Sequence, residues 1–177
     1  MLTKRRFAVL AALSLVGRSH AVGADFSAPN IVAITPRLVT SGQPSVPALA
    51  ALGTLGFQAV VYLAPSSVPD AVKNEPEILA SQGIEFIHIP IPFNAPEPSH
   101  AETVSLALQR LTAKKVLVHC QVNMRASSMV FLHRVLHGKE NPALAYEAVA
   151  KVWSPSGAWR SLLVHQLAKH KVNFEPY

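Results

Sequence analysis

The chain has 177 residues, half of them apolar, with sixteen Lys or Arg against ten Asp or Glu and a single cysteine. That is enough apolar material for one domain with a real core, and it excludes a disordered chain and an internal disulfide framework. Lys4, Arg5, Arg6 and Arg18 carry much of the positive balance, and from Asp25 onward twelve basic residues face ten acids. No basic stripe interleaved with aromatics follows, so nucleic acid is not expected as a partner.

The first predicted element stands outside the fold. Lys4-Arg5-Arg6, an apolar stretch from Phe7 to Val16 and the small residues up to Ala24 read as a secretory signal peptide over residues 1–24. Cleavage is expected after Ala24, with Ala21 as the alternative site and an uncleaved anchor as the competing reading. A bilayer span needs about 20 apolar residues. This stretch is shorter, and no later run reaches that length. The expectation is a periplasmic or secreted protein with no membrane span after cleavage, folded as one domain over 25–177. Its oligomeric state is not readable.

Downstream, strands and helices alternate. "NIVAI" and "RLVTSG" predict two short strands. Ser45, with Pro47 early in the first turn, caps a helix near 46–55. "QAVVYLA" predicts a buried strand, and "PDAVKNEPEILASQG" a helix broken near Pro76 and ended by Gly83. "IEFIHIPI" is another strand. After a Pro-rich loop, Ser99 and Glu102 form a capping box for the helix "AETVSLALQRL". "KKVLVH" is a strand that delivers Cys120, and a helix runs from Arg125 or Ala126 to His137. Asn141-Pro142 and Ser156-Gly157 open two more helices. The alternation predicts an α/β sandwich around a mostly parallel sheet, with the last three helices on one face.

The chemistry gathers at "VHCQVNMRAS". In such sheets ligands bind beyond the carboxyl ends of the strands, where Cys120 sits. The backbone amides from Gln121 through Val122, Asn123 and Met124 to Arg125 can curl around an anion, and the following helix aims its N-terminus at the same place. Both effects favour thiolate over thiol. Arg125 can grip two phosphate oxygens at once. Strand, cysteine, short loop, arginine and helix N-terminus make a coherent phosphoryl-binding nucleophile site. Metal and cofactor are not required by this chemistry. His119 points to the other side of the strand and braces the loop. His133 and His137 lie one turn apart but have no evident third ligand, which fits a polar helix face better than a zinc site. Trp153 and Trp159 read as packing between the last two helices.

The motif "VHC....RAS" resembles the signature loop of cysteine-dependent tyrosine and dual-specificity phosphatases. Upstream, "ITPRLVTSGQPSVPALAALGTLGFQAVVYLAP" resembles the atypical dual-specificity phosphatases, nearest to the bacterial beta-lactamase-hydrolase-like phosphatase family. The turn Ser41-Gly42-Gln43-Pro44, the strand from Gly56 to Leu63, the segment His88-Ile89-Pro90 and the closing "VWSPSGAW" carry that resemblance in order. It implies a cysteine-phosphatase-like three-layer sandwich with helices on both faces of a mostly parallel sheet. It implies a metal-independent phosphatase acting on a phosphorylated substrate, protein or small molecule, through a phosphocysteine on Cys120. Arg125 would clamp the phosphate, and Gln121, Val122, Asn123 and Met124 would wrap it. Gln43 either lines the pocket or belongs only to a tight turn.

The sequence also departs from the signature. Four residues separate Cys120 from Arg125 where the broad signature has five, and Asn123 stands where glycine is usual. Asn tolerates left-handed backbone angles better than most residues. Ser127 keeps the usual offset from Cys120 and is the candidate for stabilising the leaving thiolate. The loop that normally carries an acidic Asp has none, leaving Glu97 as its substitute general acid and Asp70 as a residue that can also face the site. Two further readings stand beside the phosphatase: a rhodanese-like sulfurtransferase, whose loop is equally short, and a phosphate- or anion-binding pseudophosphatase.

Overall fold

The computed structural model describes residues 26–177. The signal-peptide reading falls on residues outside that range. Five strands form one sheet: β1 (Val32–Thr35), β2 (Leu38–Ser41), β3 (Ala59–Tyr62), β4 (Glu85–His88) and β5 (Val116–His119). Their order is β1-β2-β5-β3-β4, with β1 antiparallel to β2 and every other pairing parallel. Among the described residues six helices complete the fold: α1 (Val46–Ala51), α2 (Glu75–Ala80), α3 (Pro98–Arg110), α4 (Met124–Leu136), α5 (Pro142–Ala150) and α6 (Gly157–Lys169).

Burial follows position in the sheet. The inner strands β3 (AVVY) and β5 (VLVH) are buried along their whole length, which is why both read as unbroken apolar runs. The edge strand β4 (EFIH) is only partly covered. Against one face pack α1 and α2, through Leu49, Leu52 and Leu79 against Val39, Val60 and Leu117. Against the other pack α3 to α6, through Val104, Leu108, Met129, Tyr146 and Leu163. The thick layer therefore holds α3 as well as the three expected helices. No described helix is long and apolar enough to cross a membrane.

The starts of two helices differ from expectation because of proline, and α1, expected to reach residue 55, ends at Ala51. A helix beginning near Asp70 would place Pro76 in its interior, where the ring removes a hydrogen bond and clashes with a carbonyl one turn back. Residues 69–74 form two turns joined by an irregular stretch instead, and α2 starts at Glu75 with Pro76 in its first turn. Likewise α3 starts at Pro98, whose fixed backbone suits the first helical position. That makes Glu97 the N-cap and His100 the closing residue of the capping box, in place of Ser99 and Glu102. His100 Nδ1 accepts from the Glu97 N–H at 3.0 Å, and the Glu97 carboxylate accepts from the Ser99 hydroxyl at 3.2 Å.

Candidate active site

The central strand β5 ends at the carboxyl edge of the sheet and delivers Cys120, which is completely buried. Asn123 then turns the chain into α4. Its φ is +71°, a left-handed conformation that Asn accepts at little cost. Its side chain does not cap the helix: Nδ2 donates to the Asn30 carbonyl at 2.6 Å and to Thr40 Oγ1 at 3.0 Å. The first turn of α4 contains no acidic residue. Met124 and Arg125 open the helix, so their N–H groups lack an intrahelical acceptor. The positive end of a 13-residue helix thus meets the Cys120 loop with no side-chain cap upon it.

The "SGQP" turn grips this loop from outside. Gly42 bridges to Val122, and the Gln43 N–H donates to the Gln121 carbonyl at 2.9 Å. A Cβ at Gly42 would lie 2.6 Å from that same carbonyl, so only glycine allows the approach. Val122 is exposed, and its carbonyl accepts from Asn30 Nδ2 at 3.0 Å. The Gln43 side chain turns inward, with Nε2 donating to the Glu75 carboxylate at 2.8 Å. The other Glu75 oxygen lies 2.7 Å from His119 Nε2. Glu75 is 2% and His119 0% exposed, so this is a buried polar brace beneath the loop, on the face opposite the Cys120 side chain. Tyr62 stacks on His119 at 4.7 Å and on His88 at 5.0 Å. Burial pushes the Tyr62 hydroxyl up to about 12, aided by the neighbouring Glu75, Asp70 and Cys120 and opposed by Arg125. These four groups all sit within electrostatic reach of one phenol.

Arg125 is 4% exposed and held on three sides. Its Nε donates to the Ile91 carbonyl at 2.9 Å, its Nη1 donates to Gln121 Oε1 at 3.2 Å, and its guanidinium lies 5.0 Å from the centre of the Phe93 ring. Phe93 is seated in turn by Trp153 and Trp159, and the Trp159 indole N–H donates to the Phe93 carbonyl at 2.8 Å. The two tryptophans do pack the last helices together, and they also fix the segment that orients the arginine. Met124 is half-buried at the start of α4. Ser127 is buried, and its hydroxyl donates to the Met124 carbonyl at 3.2 Å. Glu97 is an exposed helix cap. Asp70 instead accepts from Gln121 Nε2 at 2.9 Å. His133 and His137 stack 5.8 Å apart on the distal part of α4, away from this loop.

The sequence alone did not reveal Glu75, Tyr62, Phe93 or the Ile91 carbonyl. The first signal for Glu75 is its place one residue before Pro76, which fixes it in the opening turn of a helix aimed at the sheet edge.

No protein-family model and no curated protein sequence matches the chain. Solved structures do match. One is a DUF442 protein from Shewanella putrefaciens CN-32 described as a candidate phosphatase, with 27% identity, 80% of this chain and 91% of that chain covered, and a TM-score of 0.73. A second is TpbA of P. aeruginosa in complex with phosphotyrosine, with 19% identity, coverage of 68% and 71%, and a TM-score of 0.56. A third is the catalytic core of the PP-IP phosphatase SIW14 from S. cerevisiae in complex with citrate, with 13% identity, coverage of 86% and 99%, and a TM-score of 0.61. At those identities the latter two bear on the fold alone.

Proposed function

Since the chain shares the fold of the atypical tyrosine- and dual-specificity-phosphatase-like proteins, we propose that it is a cysteine-dependent phosphatase that hydrolyses phosphate monoesters. The carrying observation is the β5–α4 turn, in which Cys120 and Arg125 are joined through left-handed Asn123 at an uncapped helix N-terminus. The Cys120 sulfur attacks phosphorus and forms a phosphocysteine as the bond from phosphorus to the ester oxygen breaks and the alcohol leaves. The loop amides and the first N–H groups of α4 stabilise the equatorial oxygens. Arg125 grips the same oxygens, exchanging its Gln121 acceptor for phosphate. Ser127 exchanges the Met124 carbonyl for the thiolate as sulfur leaves. Water then releases inorganic phosphate. A small-molecule or surface-polymer phosphate is the proposed substrate class, and action outside the cytoplasm is a separate proposal that rests on residues 1–24.

The test is turnover of p-nitrophenyl phosphate by the reduced protein. Cys120→Ser should abolish it, and Arg125→Ala should lower it at least about a hundredfold, the scale of losing a preorganised anion-stabilising donor. Arg125→Lys should recover little, because an ammonium cannot form the bidentate grip. Turnover that survives Cys120→Ser would sink the mechanism. A folded, reduced protein with no turnover would direct attention to thiosulfate-to-cyanide transfer, and a second negative result to an anion-binding module.

A further inference from the structure

A phosphocysteine mechanism needs a proton at the leaving oxygen and later a group to accept one from water. The described carboxylates differ sharply in their freedom to act. Glu75 is buried between His119 and Gln43. Glu97 caps α3. Glu85, Glu140 and Glu175 are paired with Arg110 and Lys114, Arg134 and Arg160 respectively. Asp70 instead contacts the cradle itself. One Gln121 carboxamide donates to Asp70 and accepts from Arg125, and so spans from the phosphate clamp to a carboxylate. Asp70 is exposed and lines an open depression of about 450 Å³ with Pro29, Gln43, Pro44 and Ser45. The hydroxyl of Tyr62 feels Asp70, Cys120 and Arg125 together, so the three groups share one neighbourhood.

Building on the phosphatase reading above, we propose that Asp70 is the proton donor and acceptor of the reaction, with Gln121 as its positioning residue. In the first step the Cys120 sulfur forms a bond to phosphorus, the bond from phosphorus to the leaving oxygen breaks, and the Asp70 proton moves to that oxygen. In the second, a water oxygen bonds to phosphorus while Asp70 takes a water proton, and the sulfur–phosphorus bond breaks to restore the thiolate. Atoms and charge balance, and no co-reactant is needed.

An acid matters most when the leaving group is poor, so the experiment compares p-nitrophenyl phosphate with phenyl phosphate. Asp70→Asn should lower kcat/KM for phenyl phosphate by about 10²–10⁴, the usual worth of a positioned acid. For p-nitrophenyl phosphate the loss should stay below about tenfold, because that phenolate leaves without help. Asp70→Glu should recover part of the loss, and the basic limb of the phenyl phosphate pH profile should vanish in Asp70→Asn. Gln121→Ala should show the same leaving-group dependence at smaller size. Equal loss on both esters in Asp70→Asn would overturn the assignment and leave Asp70 a structural contact. A leaving-group-dependent loss in Glu97→Gln, with Asp70→Asn unaffected, would move the role to Glu97. A wild type inert to both esters would overturn the phosphatase reading and this one with it.

Discussion

Tyr62 shows how one buried phenol registers its surroundings. Its hydroxyl is held in a site that disfavours charge, first by burial and then by Glu75, Asp70 and Cys120. Below pH 10 the folded and unfolded chains both keep the proton. Between 10 and about 12 the unfolded chain loses it and the folded chain retains it, so stability falls as pH rises through that window. Urea midpoints at pH 9 and pH 11.5 should drop further for the wild type than for Tyr62→Phe. Tyr146 is raised in the same direction, so the variant should flatten only part of the fall. Among individual residues, legibility tracked sequence distance. Cys120, Asn123 and Arg125 act within one turn, and their chemistry is visible in six letters. Glu75 sits beside Pro76 in a helix and meets His119 across 44 positions. Gln121 meets Asp70 across 51. No local pattern encodes such pairs.

At the scale of elements, the "SGQP" turn and the Cys120 loop behave as one piece. Gly42 lies so close to the Gln121 carbonyl and to Pro29 that an added Cβ would stand 2.6 and 2.8 Å from them, and both neighbours are stiff. Gly42→Ala should therefore push the loop outward, destabilise the fold by about 1–3 kcal/mol and lower phosphatase turnover by more than the stability change explains. A thermal melt alongside p-nitrophenyl phosphate kinetics checks both effects. If the variant melts lower but turns over normally, the turn does not set the loop. Strands β3 and β5 were legible because burial on both faces leaves unbroken apolar runs. Helices α5 and α6 were legible through Asn141 and the Ser156-Gly157 pair. The starts of α2 and α3 were misplaced because a proline that seems to interrupt a helix also suits its first turn, and apolar periodicity alone does not say which. Gln43 combines the turn with a role that neither reading named: its backbone belongs to the turn, and its side chain supports the loop from below.

At the scale of the whole molecule, alternating strands and helices announced the class but not the strand order. β5, last in sequence, inserts between β2 and β3. The same arrangement leaves the two faces unequal. One carries two six-residue helices, and the other carries four helices built around α4. Cooperative opening should therefore begin on the thin side. Amide hydrogen exchange should be slowest in β5 and the middle of α4, and fastest in α1, α2 and residues 63–74. Asp70 lies in the segment expected to exchange fast, whereas Cys120 and Arg125 are attached to the elements expected to exchange slowly. The group proposed to move protons would then swing on the microsecond scale typical of loops, over a nucleophile and clamp that stay still. Turnover in this protein would follow the viscosity of its solvent more closely than the melting temperature of its core.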